Sequence, residues 1–181
     1  MRSDEDEDRR RFSEYFAARR GAVRHAAYLM CGDWHWADDL TQAAFIRVAS
    51  AWHRIRDPQA LDAFVRTCLV RTYLSETRRA WRRRERVVAE TPDIAGGHDE
   101  AESVTRRVLF AQALHQVPPR QRVTLVCRFY QGLDVAETAA ALGCSEGTVK
   151  SQTARGLATL RQVLGGTLPV PALARATEGK A

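Results

Sequence analysis

The stretch Pro118–Leu164 carries a series of helix start and stop signals that very few folds can satisfy. Asp134 precedes Glu137 by three residues, which is the spacing of a capping box at the start of a helix. Gly143 can adopt positive φ without strain and can end that helix, and Ser145 can cap the next one. Helix, short turn and helix in this order predict a helix-turn-helix unit.

The predicted second helix of this unit has one apolar and one polar face. Gly156 stands where a neighbouring element must approach closely, among the apolar residues Val149, Leu157, Leu160 and Leu164. The polar face carries side chains suited to phosphates and base edges, namely Thr148, Lys150, Ser151, Gln152 and Arg155. Since the second helix of such a unit enters the major groove, we expect DNA binding here. The alternative is an ordinary helical hairpin with a solvated polar face.

The charge of the chain agrees with a polyanionic partner. The formal net charge is +6 and the sequence pI is about 9.6. No apolar run reaches the roughly 20 residues of a membrane span, and the N-terminus is acidic, so we expect a cytoplasmic protein without membrane insertion. The four cysteines form no CxxC pair and the histidines are scattered, which predicts free thiols, no metal and no cofactor.

Hydrophobic periodicity predicts an all-α fold of two small helical domains joined by a flexible linker. Residues 1–8 are acidic and predicted to be disordered, and three helices follow within residues 9–86, with breaks at Gly32-Asp33 and Asp57-Pro58. Residues 87–102 lose the periodicity and read as the linker. Residues 103–164 form the second domain, and residues 165–181 are predicted to be a disordered tail.

The third predicted helix ends in a run of arginines interrupted by a tryptophan. Arginines at a helix C-terminus also favour the helix dipole, so a solvated helix end is the simpler explanation. The number of arginines exceeds that need, and we interpret the run as a ridge that binds phosphates. Its residues, with two arginines earlier in the helix, are Arg66, Arg71, Arg78, Arg79, Trp81, Arg82, Arg83, Arg84 and Arg86.

Both halves of the chain resemble a known family. The segment AYLMCGDWHWADDLTQAAFIRVASAW, with its run Ala37 to Gln42, resembles region 2 of bacterial sigma factors. The segment VPPRQRVTLVCRFYQGLDVAETAAALGCSEGTVKSQTARGLATLR is similar to region 4 of the same family. With only a short linker between them, the chain resembles the extracytoplasmic-function (ECF) group of sigma-70 factors, and within it the SigE-like actinomycete subset.

This resemblance implies a subunit that carries core RNA polymerase to promoters and helps to open the duplex. It implies that the polymerase β′ clamp helices bind a face bearing Asp38, Asp39, Gln42 and Ile46, that the β flap is a further contact, and that an anti-sigma factor is a candidate partner. The −10 element would be bound by the loop His53 to Ala60 and by the third helix, with Tyr73 and Trp81 as candidate stacking surfaces or core aromatics. The −35 element would be read through Lys150, Ser151, Ala154 and Arg155.

Two residues depart from the family pattern. Arg71 stands where many ECF factors have an asparagine in the −10 helix, and Gln152 stands where an arginine commonly follows Lys-Ser. The promoter sequence therefore does not follow from the resemblance.

Three other functions remain as alternatives. A helix-turn-helix regulator without polymerase would share the C-terminal stretch but would not need the arginine ridge or the docking face. A sigma-like decoy that sequesters an anti-sigma factor fits the fold but not the basic residues of the second helix. An enzyme is disfavoured because the sequence has no paired carboxylates, nucleophile elbow or phosphate loop, and no small-molecule substrate is expected.

Overall fold

The protein is described here from a computed structural model. The structure describes the backbone of residues 2–55, 57–83 and 101–165, with the side chains of 6–55, 57, 59–79 and 108–165. Within these ranges the chain is all-α, as the sequence predicts, and contains no β-strand. The chain divides into two compact units, Met1–Arg84 and Glu85–Ala181.

The first unit consists of three helices that follow one another directly. Helix α1 spans Arg2–Cys31, α2 spans Trp34–Ala51 and α3 spans Pro58–Arg83. The break between α1 and α2 lies at the predicted place, where the side chain of Asp33 accepts a 2.8 Å hydrogen bond from the backbone N–H of Trp36. This cap satisfies one of the free donors at the start of α2.

Two boundaries in this unit differ from the prediction. The expectation of disorder over residues 1–8 is wrong, because α1 is helical from Arg2. Arg10 pairs with Glu7 at 2.7 Å and Arg11 lies 3.9 Å from Asp8, and such pairs at i,i+3 spacing support a solvated helix. The second helix ends at Ala51 rather than near residue 55, and a 3₁₀ turn over Trp52–Arg54 follows it.

The core of the first unit forms where the apolar faces of the three helices meet. The Phe16 ring packs edge-on against Phe45 with centroids 4.8 Å apart, and Phe12 packs against Trp52 at 5.3 Å. The residues buried in this core include Val23, Ala26, Ala27, Met30, Ala37, Leu40, Ala44, Phe45, Val48, Leu61, Val65, Cys68, Leu69 and Thr72.

The second unit contains the helix-turn-helix and the elements that support it. Helix α4 spans Ala101–His115, α5 spans Pro119–Leu125, α6 spans Val135–Leu142 and α7 spans Glu146–Val163. A π-helical turn over Val126–Tyr130 extends α5, a feature that the periodicity did not predict. The predicted linker falls almost wholly outside the described residues, and so does the predicted tail beyond residue 165.

The local signals of the helix-turn-helix are confirmed one by one. Asp134 accepts a hydrogen bond from the backbone N–H of Glu137 at 2.7 Å, and the Glu137 carboxylate accepts one from the N–H of Asp134 at 2.8 Å. Gly143 ends α6 with φ of 63°, in the left-handed region. Ser145 caps α7 by accepting a hydrogen bond from the N–H of Thr148.

Helices α7 and α5 lie in close contact at Gly156. A Cβ atom on Gly156 would lie 3.0 Å from Cδ1 of Leu125 and 3.3 Å from Cβ of Gln121. Because Leu125 is buried, it has little room to move away. The absent side chain thus sets how α7 sits on its supporting helix.

Candidate functional site

The exposed face of α7 gathers the side chains that the sequence predicted as a DNA reader. Lys150, Ser151, Ala154 and Arg155 are exposed, and Gln152 is half-buried. Val149 and Leu160 are buried on the opposite side. The residues therefore lie on one accessible surface of a helix whose back is held by the core.

The hydroxyl groups near the start of α7 are engaged with the helix itself. The Ser151 hydroxyl donates to the backbone carbonyl of Thr148 at 3.0 Å, and the Thr148 hydroxyl lies 2.9 Å from that of Ser145. The side chains of Lys150 and Arg155 make no hydrogen bond or ion pair with the described residues. Their charges are thus free for a ligand, whereas Ser151 must exchange its bond to donate to one.

The solvent-facing side of α3 carries a short basic surface. Arg71, Arg78 and Arg79 are exposed. Arg71 and Arg78 are seven residues apart, which places them on the same side of the helix two turns apart. The side chains of Trp81, Arg82 and Arg83 lie outside the described ones, as do Arg84 and Arg86 altogether.

Arg71 has no acidic partner among the described side chains, and Glu76 is already engaged. The indole N–H of Trp36 donates to the Glu76 carboxylate at 2.7 Å. This contact ties the start of α2 to α3 and leaves the Arg71 guanidinium available.

Arg66 is not part of this basic surface in the structure. Arg66 lies five residues before Arg71 in α3, which places the two side chains about 140° apart around the helix. It is half-buried, with an Nε atom that has no hydrogen-bond partner among the described residues. Its charge acts on Tyr15 of α1, whose pKa is raised by burial and by its 3.0 Å hydrogen bond to Asp62.

The proposal of Tyr73 as a stacking surface for a base is not supported by its position. Tyr73 is only 2% exposed and packs against Trp36, with ring centroids 5.7 Å apart. A base could reach the ring only if the core opened. The other explanation given by the sequence, a core aromatic, is the one that the structure shows.

A groove of about 500 Å³ runs between α1 and α2 and contains the predicted docking face. Its floor is apolar, and Ile46, 60% exposed, is the most exposed large hydrophobic residue among those described. The polar members Asp38, Asp39 and Gln42 lie on its rim. The remaining lining residues are Phe12, Phe16, Arg20, Thr41, Phe45 and Ala49.

The two neighbouring aspartates of the docking face have different environments. Asp38 accepts hydrogen bonds from Nε of Arg24 at 2.6 Å and from Nη2 at 3.0 Å. These hydrogen bonds hold the pKa of Asp38 below its usual range and raise the pKa of Arg24. Asp39 is exposed and makes no ion pair with the described residues.

An aromatic stack fixes the Arg24 guanidinium in place. Its central carbon lies 4.4 Å from the centroid of the Trp34 ring, and Trp34 stacks on Tyr28 at 3.9 Å with an interplanar angle of 4°. No local sequence signal indicates this arrangement, because Arg24 and Asp38 belong to different helices. Arg24 therefore holds one residue of the predicted docking face in place, a contact that sequence reasoning missed.

The described residues show no cluster of side chains that could hold a metal ion. The four cysteines are free thiols, and burial raises the pKa of Cys127 to about 12. Among the helices in the described ranges, none has the length and apolar character needed to cross a membrane.

Comparison with known proteins matches both units. The family model for Sigma-70 region 2 matches residues 15–83, and that for Sigma-70 region 4 matches residues 107–160. The RNA polymerase sigma-E factor of Streptomyces avermitilis is 37% identical over 153 residues, covering 84% of each chain. The ECF sigma factor SigM of Mycobacterium tuberculosis is 30% identical over 158 residues, covering 87% of this chain and 79% of SigM.

A solved structure agrees on the fold. The sigma factor RpoE of Bartonella quintana, in complex with its anti-sigma factor NepR, superposes with a TM-score of 0.64 at 23% identity, covering 85% of this chain and 96% of RpoE. Family models and relatives thus agree over most of the chain. The chain belongs to the sigma-70 family, in its ECF group, and is an RNA polymerase sigma factor that acts in transcription initiation.

Proposed function

We propose that the two units divide promoter recognition between them, with α7 reading the −35 element and α3 binding the −10 element. The exposed face of α7 supports the first assignment, since Lys150 and Arg155 carry charges that no described side chain pairs. Arg71, Arg78 and Arg79 support the second, because a melted strand needs cations along its backbone.

The groove between α1 and α2 is the observation that best supports docking of this chain on core polymerase. An apolar floor with the exposed Ile46, and the Asp39 carboxylate at its rim, which no described residue pairs, suit an amphipathic helix that carries a basic residue beside its apolar face. We propose that this helix belongs to the clamp of the polymerase β′ subunit, and that the β flap contacts the second unit. In this role the chain acts as an initiation factor and supplies no catalytic group of its own.

An anti-sigma factor is a second proposed partner. The RpoE structure contains an anti-sigma factor. The groove beside Ile46 offers a surface that an anti-sigma factor and the polymerase could not occupy at the same time. Binding there would keep the chain from the polymerase.

Run-off transcription with purified core polymerase on genomic DNA fragments tests the proposal. We expect transcripts from a small set of promoters only when this chain is added, with a one-to-one complex on gel filtration. Duplex binding without polymerase and without transcripts would instead support a helix-turn-helix regulator. An anti-sigma complex without either activity would support a decoy.

A further inference from the structure

Arg47 of α2 is an exposed arginine that lies outside the promoter-binding surfaces proposed on α3 and α7. It follows Trp36 by eleven residues, or about three turns, so the two lie on the same side of α2. Trp36 packs on Tyr73 and donates to Glu76, both in α3. Arg47 therefore lies along the edge of α2 that faces α3.

The two helices form an antiparallel hairpin, so this edge of α2 meets α3 in reverse order. Trp36, near the start of α2, contacts the second half of α3. Arg47, near the end of α2, is opposite the first half of α3, where Cys68 lies. Burial raises the pKa of the Cys68 thiol, and the positive charges of Arg47 and Arg71 oppose that rise. The positive charges of Arg47 on α2 and of Arg71 on α3 thus both act on the Cys68 thiol.

Neither of these two arginines is neutralised within the described part of the chain. Both are exposed, and neither makes a hydrogen bond or an ion pair with a described residue. Like charges that act on the same part of a folded surface repel each other, and an anion bound between them would offset that repulsion. The acid nearest in sequence to Arg71, Glu76, is already bound by Trp36.

We propose that Arg47 and Arg71 together bind one phosphate of the melted −10 strand, which extends the DNA-binding surface from α3 onto α2. The inference rests on the proposed role of α3. A phosphate suits this pair because guanidinium groups bind its oxygens in bidentate fashion, and because Arg71 continues along α3 into the exposed Arg78 and Arg79. Arg47 directly follows Ile46 of the docking face, so the strand would pass close to the polymerase contact.

The test uses holoenzyme reconstituted from core polymerase and the full-length chain, with a single-stranded oligonucleotide carrying the non-template −10 sequence. Binding is measured over a range of salt concentrations for wild type, Arg47→Gln, Arg71→Gln and Arg47→Lys. Arg9→Gln serves as the matched control, because Arg9 is an exposed arginine of α1 outside the proposed surface. Holoenzyme affinity is measured separately for each variant.

We expect Arg47→Gln and Arg71→Gln each to reduce the slope of log affinity against log salt by about 0.7, the value for one phosphate contact on a single strand. Arg47→Lys should keep most of the slope, and Arg9→Gln should leave it unchanged. Methylphosphonate substitution along the oligonucleotide should reveal one position whose neutralisation weakens wild type but has little further effect on either glutamine variant.

Several outcomes would overturn the inference. If Arg71→Gln reduces the slope and Arg47→Gln behaves like Arg9→Gln, the phosphate site on α2 does not exist, while the role of α3 stands. If Arg47→Gln weakens holoenzyme assembly instead, Arg47 binds an acidic protein surface. If neither variant changes DNA binding, the proposed −10 role of α3 fails together with the inference.

Discussion

The guanidinium of Arg24 binds the carboxylate of Asp38 through two hydrogen bonds, and this pair joins α1 to α2 at the rim of the docking groove. One of the two adjacent aspartates is therefore committed to the fold, and Asp39 is left to meet a cationic partner. Because Asp38 and Asp39 are adjacent in the sequence, the sequence alone does not show which of them is paired.

Replacing Arg24 by glutamine should bring the pKa of Asp38 back up towards its ordinary value, since the hydrogen bonds from Arg24 are the main cause of the lowered value. A carboxyl group with a lowered pKa in the folded state stabilises that state above its unfolded pKa, near 4, and the contribution is lost as the pH falls through the folded value. The part of the stability difference between wild type and Arg24→Gln that comes from this pair, about 0.5 kcal/mol for partly exposed groups, should therefore vanish in acid, whereas the contact of Arg24 with the Trp34 ring does not titrate. Carbon-13 NMR titration of the Asp38 carboxyl measures the shift. Arg20→Gln is the control, and a shift as large in that variant would contradict the assignment.

Reversing the charge at Asp39, combined with Gln42→Ala, should weaken the complex with core polymerase while the helical content stays the same. Both side chains are exposed on the groove rim, so their loss removes contacts without opening the core. Asp38→Asn should weaken the complex less, because that carboxylate is already occupied. Fluorescence anisotropy measures the affinity of each variant for core polymerase, and circular dichroism checks that its helical content is unchanged. An unchanged affinity in the double variant would remove the docking assignment.

The α7 variants should separate base reading from phosphate binding. Lys150→Ala should change the preferred −35 sequence, with a good base contact worth roughly 1–3 kcal/mol. Arg155→Ala should lower affinity about evenly across sequences and reduce the salt slope by about one unit. Ser151→Ala should change base preference less than Lys150→Ala, since its hydroxyl already donates to Thr148. A binding selection on randomised −35 duplexes with holoenzyme measures these changes, and an unaltered preference in Lys150→Ala would show that Lys150 is not a reader.

Arg71→Asn should change which −10 sequence is melted. Arginine offers only donors and a charge, which favours phosphate or the O6 and N7 atoms of guanine, whereas asparagine offers a neutral donor and acceptor. Permanganate footprinting across a −10 library compares the two proteins. Identical melted sequences and rates would mean that Arg71 is an ordinary surface residue.

Gly156→Ala should gain helix propensity, about 1 kcal/mol, but lose as much or more to the contact that the new Cβ makes with Leu125. The net change in the free energy of unfolding should lie between zero and about 2 kcal/mol of destabilisation. Gly147→Ala is the control in the same helix, because its added Cβ would meet only the Ser145 hydroxyl among the described residues, at an ordinary contact distance of 3.9 Å. It should be neutral or stabilising in denaturant unfolding. A stabilised Gly156→Ala would show that the approach of α7 to α5 is not tight.

The features that the sequence predicted well depend on neighbours in the chain. A capping box needs only Asp134 and Glu137, and a left-handed helix end needs only Gly143, so both could be read without knowing the tertiary structure. The apolar faces of α1, α2 and α3 were predictable for the same reason, because helical spacing decides which residues share a face.

The features that were missed depend on residues far apart in the chain. Tyr73 is buried because Trp36, on another helix, covers it, and spacing alone did not distinguish this from an exposed stacking position. Arg24 reaches Asp38 across the helix pair α1 and α2, and nothing near either residue in the sequence indicates the other. Only the packed arrangement of helices determines such pairs.

Gly156, which packs against α5, is the direct neighbour of the exposed Arg155, and this arrangement has an evolutionary consequence. The residue that contacts the supporting helix and the residues that we propose to contact bases lie on different sides of α7, so a change at position 150 or 151 would alter promoter choice without disturbing how the helix is held. After gene duplication, two copies of such a chain could diverge to serve separate sets of genes by a few surface substitutions. The mutational path between promoter preferences then passes through stably folded intermediates at every step.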